Sequence, residues 1–262
     1  LPAELGPPTN YLAAVVRGEP REGISVGATT ALATPLTSRC TGPGRGEPDC
    51  EPRGGQAAAL STTLGSPSGD YVLRAQASAS RVTGGLAGGE LLLDGTRLRG
   101  GDTGFGAYVH GGKLGGEPWR LELTYAYASP RLDLNAVGFQ PLQNVQYARA
   151  HLKWVRTSSG LLQEGILGVS GDVRWSTDSR GLGQARNVAL TGSALFADTT
   201  TLECDAGIEW ARADLREVRE SGIAVERPSF AFMGCFLAID PSLPFAVEAT
   251  GYLDSPDFTG LE

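Results

Sequence analysis

The sequence predicts an all-β protein of antiparallel strands, and three observations support this fold class. The 262 residues include 37 Gly and 16 Pro, which is more helix-breaking residues than a helical protein of this size usually contains. Segments of about ten residues alternate between apolar and polar side chains, as half-buried strands do. All 16 prolines fall outside these segments, where no hydrogen bond of a β-ladder is lost.

Twelve segments show this alternation. In the sixth, Trp119 and Leu121 lie on one face and Arg120 and Glu122 on the other, and the seventh and tenth repeat the pattern. Each segment is therefore predicted to be a strand with one apolar and one polar face. In chain order the predicted strands cover 10–17, 23–34, 56–64, 71–82, 104–114, 119–128, 145–157, 162–175, 186–197, 202–214, 229–240 and 245–254.

The connections between the segments alternate in length. A short connection at 18–22 is followed by a long one at 35–55, then a short one at 65–70 and a long one at 83–103. A soluble sandwich or a lipocalin-like barrel also alternates in side-chain polarity, but short periplasmic turns alternating with longer external loops are typical of outer-membrane barrels. The sequence therefore predicts an antiparallel transmembrane β-barrel in the outer membrane of a Gram-negative bacterium.

The orientation of the segments predicts a barrel that extends beyond them. With the short turns in the periplasm, the first segment runs inward and the twelfth runs outward, so both ends of the array face the outside. Single-chain bacterial barrels have an even strand number, and we expect both ends of a complete one in the periplasm. Residues 1–262 are accordingly interpreted as about twelve strands of one barrel domain of roughly fourteen or more, lacking strands at both ends.

The four Trp residues lie on the apolar faces and toward strand ends. Such placement favours aromatic girdles at the two membrane interfaces, although chance placement in the core of a sandwich is the alternative. Two of the Trp lie near short turns and two near long loops, which would give one pair at each interface. The predicted girdle comprises Trp119, Tyr125, Tyr127, Trp154, Trp175 and Trp210.

The polar faces of the middle segments carry both His residues of the chain. His110 and His151 flank the sixth segment, whose Glu122 is expected close to His110 if the turn at 115–118 is tight. The group is interpreted as charges that line a polar lumen and pair with one another. The alternative is a general acid and base pair, and no catalytic residue is assigned. The predicted lumen group comprises His110, Arg120, Glu122, Arg149, His151 and Lys153.

Four cysteines allow two disulfides, as an oxidising compartment would permit. Cys40 and Cys50 share one long outer loop, and Cys204 and Cys235 come almost level when the chain folds near residue 220. Zinc is not favoured because the chain has no CxxC pair and the spacings are wide. No metal site is therefore predicted.

Composition and motifs exclude several other functions. With a net charge of −7 and scattered basic residues, no nucleic-acid surface is expected. The glycine clusters match neither a P-loop nor GxGxxG, so no cofactor is predicted. The acidic residues Asp133, Asp178 and Asp257 lack calcium-ligand spacing and are expected in solvated loops. The expected partners are outer-membrane lipid and a glycan or other small solute.

The stretch from Tyr125 to Gln146, YAYASPRLDLNAVGFQPLQNVQ, resembles a family of uncharacterised outer-membrane β-barrel proteins. In that family a periplasmic module similar to carbohydrate-binding family nine precedes a barrel domain of unknown function. The resemblance implies a barrel and suggests glycan handling, and it supplies no catalytic residues. The periplasmic module has no counterpart here. The motif consists of Ser129-Pro130, Asp133, Asn135, Gly138 and Phe139, with support from Pro8 to Tyr11, the strand from Gly23 to Thr34, Gly104 and Gly106.

The leading hypothesis is therefore a transport or structural barrel, acting as a pore, a glycan-uptake component or a surface scaffold. Two alternatives belong to other classes. One is an outer-membrane enzyme that uses His110, Glu122 and His151, and the other is a secreted soluble β-protein. The sequence names neither a substrate nor a solute.

Overall fold

The computed structural model describes residues 9–36, 50–86, 88–92, 94–134, 143–158, 160–214, 222–223, 225–239 and 248–255. Over these residues the chain forms strands, turns and loops. In the same ranges, no helix is long and apolar enough to cross a membrane.

One antiparallel sheet of twelve strands makes up most of the described chain, and its strands follow each other in sequence order. They are β1 (Thr9–Arg21), β2 (Ile24–Pro35), β3 (Cys50–Gly65), β4 (Tyr71–Leu86), β7 (Thr103–Lys113), β8 (Trp119–Ala128), β9 (Val145–Thr157), β10 (Leu162–Trp175), β11 (Gly183–Phe196), β12 (Thr201–Glu209), β15 (Phe230–Ala238) and β16 (Glu248–Ser255). Two small hairpins lie in the loops after β4 and β12: β5 (Glu90–Leu91) with β6 (Arg97–Leu98), and β13 (Arg212–Asp214) with β14 (Val225–Arg227).

The twelve predicted strands match the twelve strands of this sheet, and the predicted bounds of β8, β9 and β10 are those of the structure. The tenth predicted strand, 202–214, was too long. Its ladder ends after Glu209, because the Ala211 amide donates to Ser229 Oγ at 2.8 Å instead of to a neighbouring strand. The chain then turns into β13, which pairs with β14 rather than with the sheet.

Three prolines of the described chain fall within strand bounds, where the sequence placed none: Pro35 is the last residue of β2, and two others lie in strand interiors. Pro20 is in β1 and Pro52 is in β3. Each coincides with an irregularity in the register, between Gly18 and Arg21 in β1 and between Glu51 and Gly54 in β3. At such bulges a residue is left out of the ladder, so the missing N–H of proline breaks no pairing.

The antiparallel all-β fold is thus confirmed, but closure of the sheet into a barrel is not. In the described residues β1 pairs only with β2 and β16 pairs only with β15, so the sheet is not closed into a barrel. Short connections such as 66–70 and 114–118 lie at one end of the sheet, and the described parts of long ones, such as 129–134 and 143–144, lie at the other. This arrangement agrees with the alternation of loop lengths in the sequence.

The register defines two faces that run across all twelve strands. The apolar face contains Leu121 of β8, which lies opposite Leu152 of β9. Its large side chains are exposed, with Leu60 at 67% and Leu190 at 64%. The exposed side chains on this face include Leu12, Val16, Val26, Leu60, Leu73, Phe105, Val109, Leu121, Leu123, Leu152, Leu167, Val169, Val188, Leu190, Met233 and Leu253.

The polar face is the more buried of the two. It carries Arg120, Glu122, His151 and Lys153, and most of its polar side chains are half-buried. The burial is therefore inverted relative to a water-soluble sheet, in which apolar side chains pack inward. The buried apolar residues of the sheet all lie on this polar face: Ala33, Val82, Ala128, Val155, Ala185 and Ala189.

Candidate functional site

The predicted lumen group lies together on the polar face of β7, β8 and β9. Glu122 of β8 lies directly opposite His151 of β9, and Arg120 lies opposite Lys153. Lys153 Nζ donates to Glu122 Oε1 at 2.5 Å. Both side chains of this ion pair are half-buried, so solvent screens it less than a fully exposed pair.

His110 lies near Glu122 at a diagonal position of the neighbouring strand, but its hydrogen-bond partner is another residue. Glu122 lies opposite Gly112, and His110 lies opposite Thr124. His110 Nδ1 is 3.0 Å from Thr124 Oγ1, while the Glu122 carboxylate binds Lys153. The register therefore gives each group a partner of its own and forms no His110–Glu122 hydrogen bond.

A hollow of about 420 Å³ lies beside this group on the polar face of β9 to β16. His151 and Lys153 line its end at β9, Glu203 and Asp205 of β12 line its middle, and Thr250 and Gly251 line its end at β16. Its volume is in the range of small-molecule sites. The sequence placed Glu203 and Asp205 on a polar face but not in a site, because only the register of four strands brings them level with β9.

Gly168 of β10 lies between two lining residues of the hollow, opposite Lys153 of β9 and Thr191 of β11. A Cβ at Gly168 would lie 2.7 Å from both His151 Nε2 and Thr191 Oγ1. These two atoms approach each other to 3.5 Å directly over the glycine. Glycine is thus required here for the side chains of β9 and β11 to come together.

Residues 129–134, the overlying segment, fold back across the polar face of β7. A Cβ at Gly104 would overlap the backbone of Leu132, and a Cβ at Gly106 would come 2.9 Å from the Leu132 side chain. The Asp133 amide donates to Ser80 Oγ at 2.9 Å, and Arg53 forms an ion pair with the Asp133 carboxylate. The two glycines therefore provide the space in which the segment packs.

The expectation that Asp133 lies in a solvated loop was wrong. Asp133 is 6% exposed, because the overlying segment buries it against β4 and Arg53. Asp178 is also largely covered, with 20% of its side chain exposed. Asp257, the third acidic residue of that prediction, lies outside the described residues.

A polar cluster with two buried members, Asp94 and Asn144, joins three long loops, and we call Asp94, Asn144, Asp178 and Arg180 the loop cluster. Asn144 Nδ2 donates to Asp94 Oδ2 at 2.6 Å and to Asp178 Oδ2 at 2.8 Å. Asn144 Oδ1 accepts from the Asp178 amide at 3.1 Å, and Arg180 Nη2 donates to the Asp94 carbonyl at 2.7 Å. Asn144 is 0% exposed and has a φ of 54°, a left-handed conformation that Asn tolerates better than most residues.

The hydrogen bonds of the loop cluster lower the pKa of Asp178. Burial alone would raise it, but donation by Arg180, Asn144 and Ser176 outweighs burial and brings the pKa to about 2, from an ordinary value of 3.8. Because the folded-state pKa is the lower one, this carboxylate stabilises the fold above the ordinary value. That contribution is lost as the pH falls through the folded pKa.

We expect the loop at 176–182 to loosen between about pH 4 and pH 2. Hydrogen–deuterium exchange of this loop, corrected for intrinsic rates, should accelerate over that interval and stay constant between about pH 5 and pH 7. Asp178→Asn has no carboxylate to titrate, so its exchange should lack this step. An equal step in the variant would assign the transition to another group.

The predicted girdle residues within the described chain lie on the apolar face. Trp119 of β8 and Trp154 of β9 lie directly opposite each other, near the short turns. Trp175 ends β10 and Trp210 follows β12, both at the end of the sheet with the long loops. Tyr125 and Tyr127 lie in the half of β8 nearer the long loops, and the Tyr125 hydroxyl donates to Gln146 Oε1 at 2.9 Å.

One of the two predicted disulfides is present. Cys204 and Cys235 are bonded and lie directly opposite on β12 and β15, with their Cα atoms 4.1 Å apart. Cys40 lies outside the described residues, so the Cys40–Cys50 pairing stays a prediction. Within the described ranges no group of three or more His, Cys, Asp or Glu side chains is arranged to hold a metal ion.

Comparison of the chain with known proteins gives no match. No family model, no curated protein and no solved structure matches it. The resemblance of the 125–146 region to uncharacterised outer-membrane barrels therefore stays a prediction. The site must be interpreted from its own geometry.

Proposed function

We propose that the protein is an outer-membrane β-barrel whose polar interior passes or holds small polar solutes. The twelve strands would form part of the barrel wall, with the apolar face toward lipid and the polar face toward the lumen. Strands additional to the twelve would complete the barrel. Outer-membrane lipid is then the obligatory partner, and the solute is a glycan fragment or another small polar molecule.

The inverted burial of the sheet is the observation that supports this proposal. A monomeric soluble protein rarely exposes a contiguous apolar patch larger than a few hundred Å². Here the exposed apolar side chains continue across twelve neighbouring strands, from Leu12 of β1 to Leu253 of β16. A lipid bilayer is the environment that would satisfy such a face without a second protein layer.

The polar face supports a narrowed interior rather than an open one. The overlying segment covers part of it, and the loop cluster joins the long loops at one end. The hollow beside His151 and Lys153 is left uncovered on the same face. This combination fits a barrel that admits small solutes and excludes large ones.

Paired arginine substitutions test whether the apolar face meets lipid. Leu60 on the apolar face and Ser61 on the polar face are neighbours in the middle part of β3, and both are exposed. In a bilayer, Leu60→Arg should cost about 2–4 kcal/mol, whereas Ser61→Arg should cost little. In a soluble protein both changes should stay within about 0.5 kcal/mol, as exposed sites usually do.

The measurement is heat-dependent gel mobility after refolding into detergent or lipid. We expect the unboiled wild type and Ser61→Arg to migrate as compact forms that boiling converts, and Leu60→Arg to give much less of the compact form. Entry of sugars into vesicles that contain the wild type then tests passage of solutes. Mobility that boiling leaves unchanged would contradict the barrel and favour the soluble alternative.

A further inference from the structure

The Cys204–Cys235 disulfide lies on the apolar face of the sheet. Cys204 is two positions from Leu202 on β12, and Cys235 is two positions from Met233 on β15, so these side chains share one face. The residue pairs on either side of the disulfide along the two strands are apolar as well: Leu202 with Leu237 and Ala206 with Met233.

The disulfide is open to its surroundings on that face. Gly192 of β11 lies opposite Cys204, and Gly251 of β16 lies opposite Cys235, so neither neighbouring strand has a side chain directly beside the bond. Cys235 is exposed and Cys204 is half-buried. In water such a bond would be accessible to thiols, whereas in the proposed barrel it would face the acyl chains of the lipid.

The strands that the disulfide joins have short ladders and a long connection. β12 and β15 are nine residues long and β16 is eight, which makes them the three shortest strands of the sheet. Residues 210–229 separate β12 from β15, and closing a long connection costs conformational entropy. The loop cluster joins loops between β4 and β11, so it does not secure these strands. The disulfide is the covalent link at this end of the strand order.

We propose that the Cys204–Cys235 disulfide is a redox-sensitive latch for the β15–β16 hairpin, which forms before membrane insertion and is then shielded by lipid. When oxidised, the latch holds β15 in register with β12. When it is reduced, the β12 ladder alone attaches the hairpin, which can then separate from the sheet. This inference rests on the proposed function, because the shield is the bilayer that the apolar face would meet.

The order of the two events follows from the chemistry of the bond. To form it, the two thiols pass two electrons and two protons to a partner disulfide, which becomes a dithiol. The exchange proceeds through a thiolate and a mixed disulfide, and an ionised group is strongly disfavoured in hydrocarbon. Exchange with a soluble partner is therefore possible while the apolar face is in water, and it is blocked once that face is in lipid.

Reduction by TCEP, a charged phosphine, tests the shielding. TCEP attacks one sulfur, the S–S bond breaks, and water releases the second thiol as the phosphine becomes its oxide. We expect reduction to be at least about tenfold slower in the full chain inserted into phosphatidylcholine vesicles than in the urea-unfolded chain. Alkylation of the released thiols and mass spectrometry of the peptides that contain Cys204 and Cys235 measure the rate. Equal rates in the two states would overturn the shielding.

A thiol on the opposite face provides the matched control. Glu203 is the neighbour of Cys204 on the polar face of β12 and is exposed. In vesicles, a charged maleimide should label Glu203→Cys, made together with Cys204→Ala and Cys235→Ala, but it should not label Cys235 in Cys204→Ala. Labelling of Cys235 as fast as that of the control would place the disulfide in water and contradict the proposal.

Removing the bond tests its role as a latch. In Cys204→Ala with Cys235→Ala, hydrogen exchange of β15 and β16 should be faster by roughly tenfold or more, while exchange of β3 and β4 stays unchanged. If this variant does not fold, Cys204→Val with Cys235→Val gives a second apolar pair without the bond. Exchange that is unchanged in β15 and β16, or that rises equally in all strands, would refute the latch.

The latch and the barrel fail in different results. Heat-dependent mobility together with fast reduction in vesicles would refute the shielded latch and leave the barrel. Mobility that boiling leaves unchanged would refute the barrel, and the shielding by lipid with it.

Discussion

Replacing Asn144 with alanine is expected to destabilise the protein by about 2–4 kcal/mol and to release its long loops. Asn144 donates to Asp94 Oδ2 and Asp178 Oδ2, and it accepts from Thr177 and Asp178. Alanine would leave the Thr177 and Asp178 amides without their acceptor Asn144 Oδ1, and it would remove one donor each from the carboxylates of Asp94, which is 1% exposed, and Asp178. An unsatisfied buried polar group loses its solvation without compensation, which is the origin of the large effect.

The effect of Asn144→Ala is measured in two ways. The midpoint of urea unfolding should fall, and trypsin should cleave after Arg180 faster than in the wild type, because Arg180 would lose its fixed position in the loop cluster. Asn187→Ala is the matched control, since Asn187 lies in β11 outside the loop cluster. Equal changes in both variants would show that the loop cluster contributes nothing specific.

Replacing Gly104 with valine is the second large perturbation. A Cβ at this position would overlap the backbone of Leu132, so the overlying segment must leave the polar face. Leu132, which is 5% exposed, would then lose its burial at a cost of about 1.5–3 kcal/mol. The contact between the Asp133 amide and Ser80 Oγ would be lost as well.

Gly104→Val should therefore lower stability and raise the entry of sugars into vesicles that contain the protein. Gly171→Val provides the control, because a Cβ at Gly171 meets its nearest neighbours at 3.6 Å, an ordinary contact distance. Lower stability with unchanged permeability would show that the overlying segment packs on the polar face without restricting passage. If Gly104→Val alters neither stability nor permeability, the packing of the overlying segment on the polar face is contradicted.

The strands could be predicted from the sequence because each one carries its own signal. Alternation along β8, for example, depends only on consecutive residues such as Trp119, Arg120 and Leu121. The lumen group followed for the same reason, since neighbouring antiparallel strands with the same alternation place their polar side chains on the same face of the sheet. The disulfide between Cys204 and Cys235 could be predicted because the two cysteines lie on neighbouring strands, whose register places them opposite each other.

The sites that could not be predicted depend on contacts between distant parts of the chain. Asp94 and Asn144 are 50 residues apart, and Asn144 and Asp178 are 34 apart. No periodicity in the sequence links these residues, so the sequence predicts acidic loop residues that are exposed to solvent. The overlying segment likewise depends on Gly104 meeting Leu132 across a loop. A glycine in a strand indicates that another group approaches its backbone closely, but it does not indicate which group.

The loop cluster also has a mechanical consequence. Its residues come from the loops that join β4 to β7, β8 to β9 and β10 to β11, so its hydrogen bonds connect three strand pairs at one end of the sheet. At the other end, the hydrogen bonds between turns in the described chain join neighbouring turns in pairs, from the Leu114 amide to the Asp70 carbonyl and from the Ala197 amide to the Leu161 carbonyl. Under tension, these six strands would resist extraction as one block instead of yielding hairpin by hairpin, and the force needed would depend on which end of the sheet is pulled.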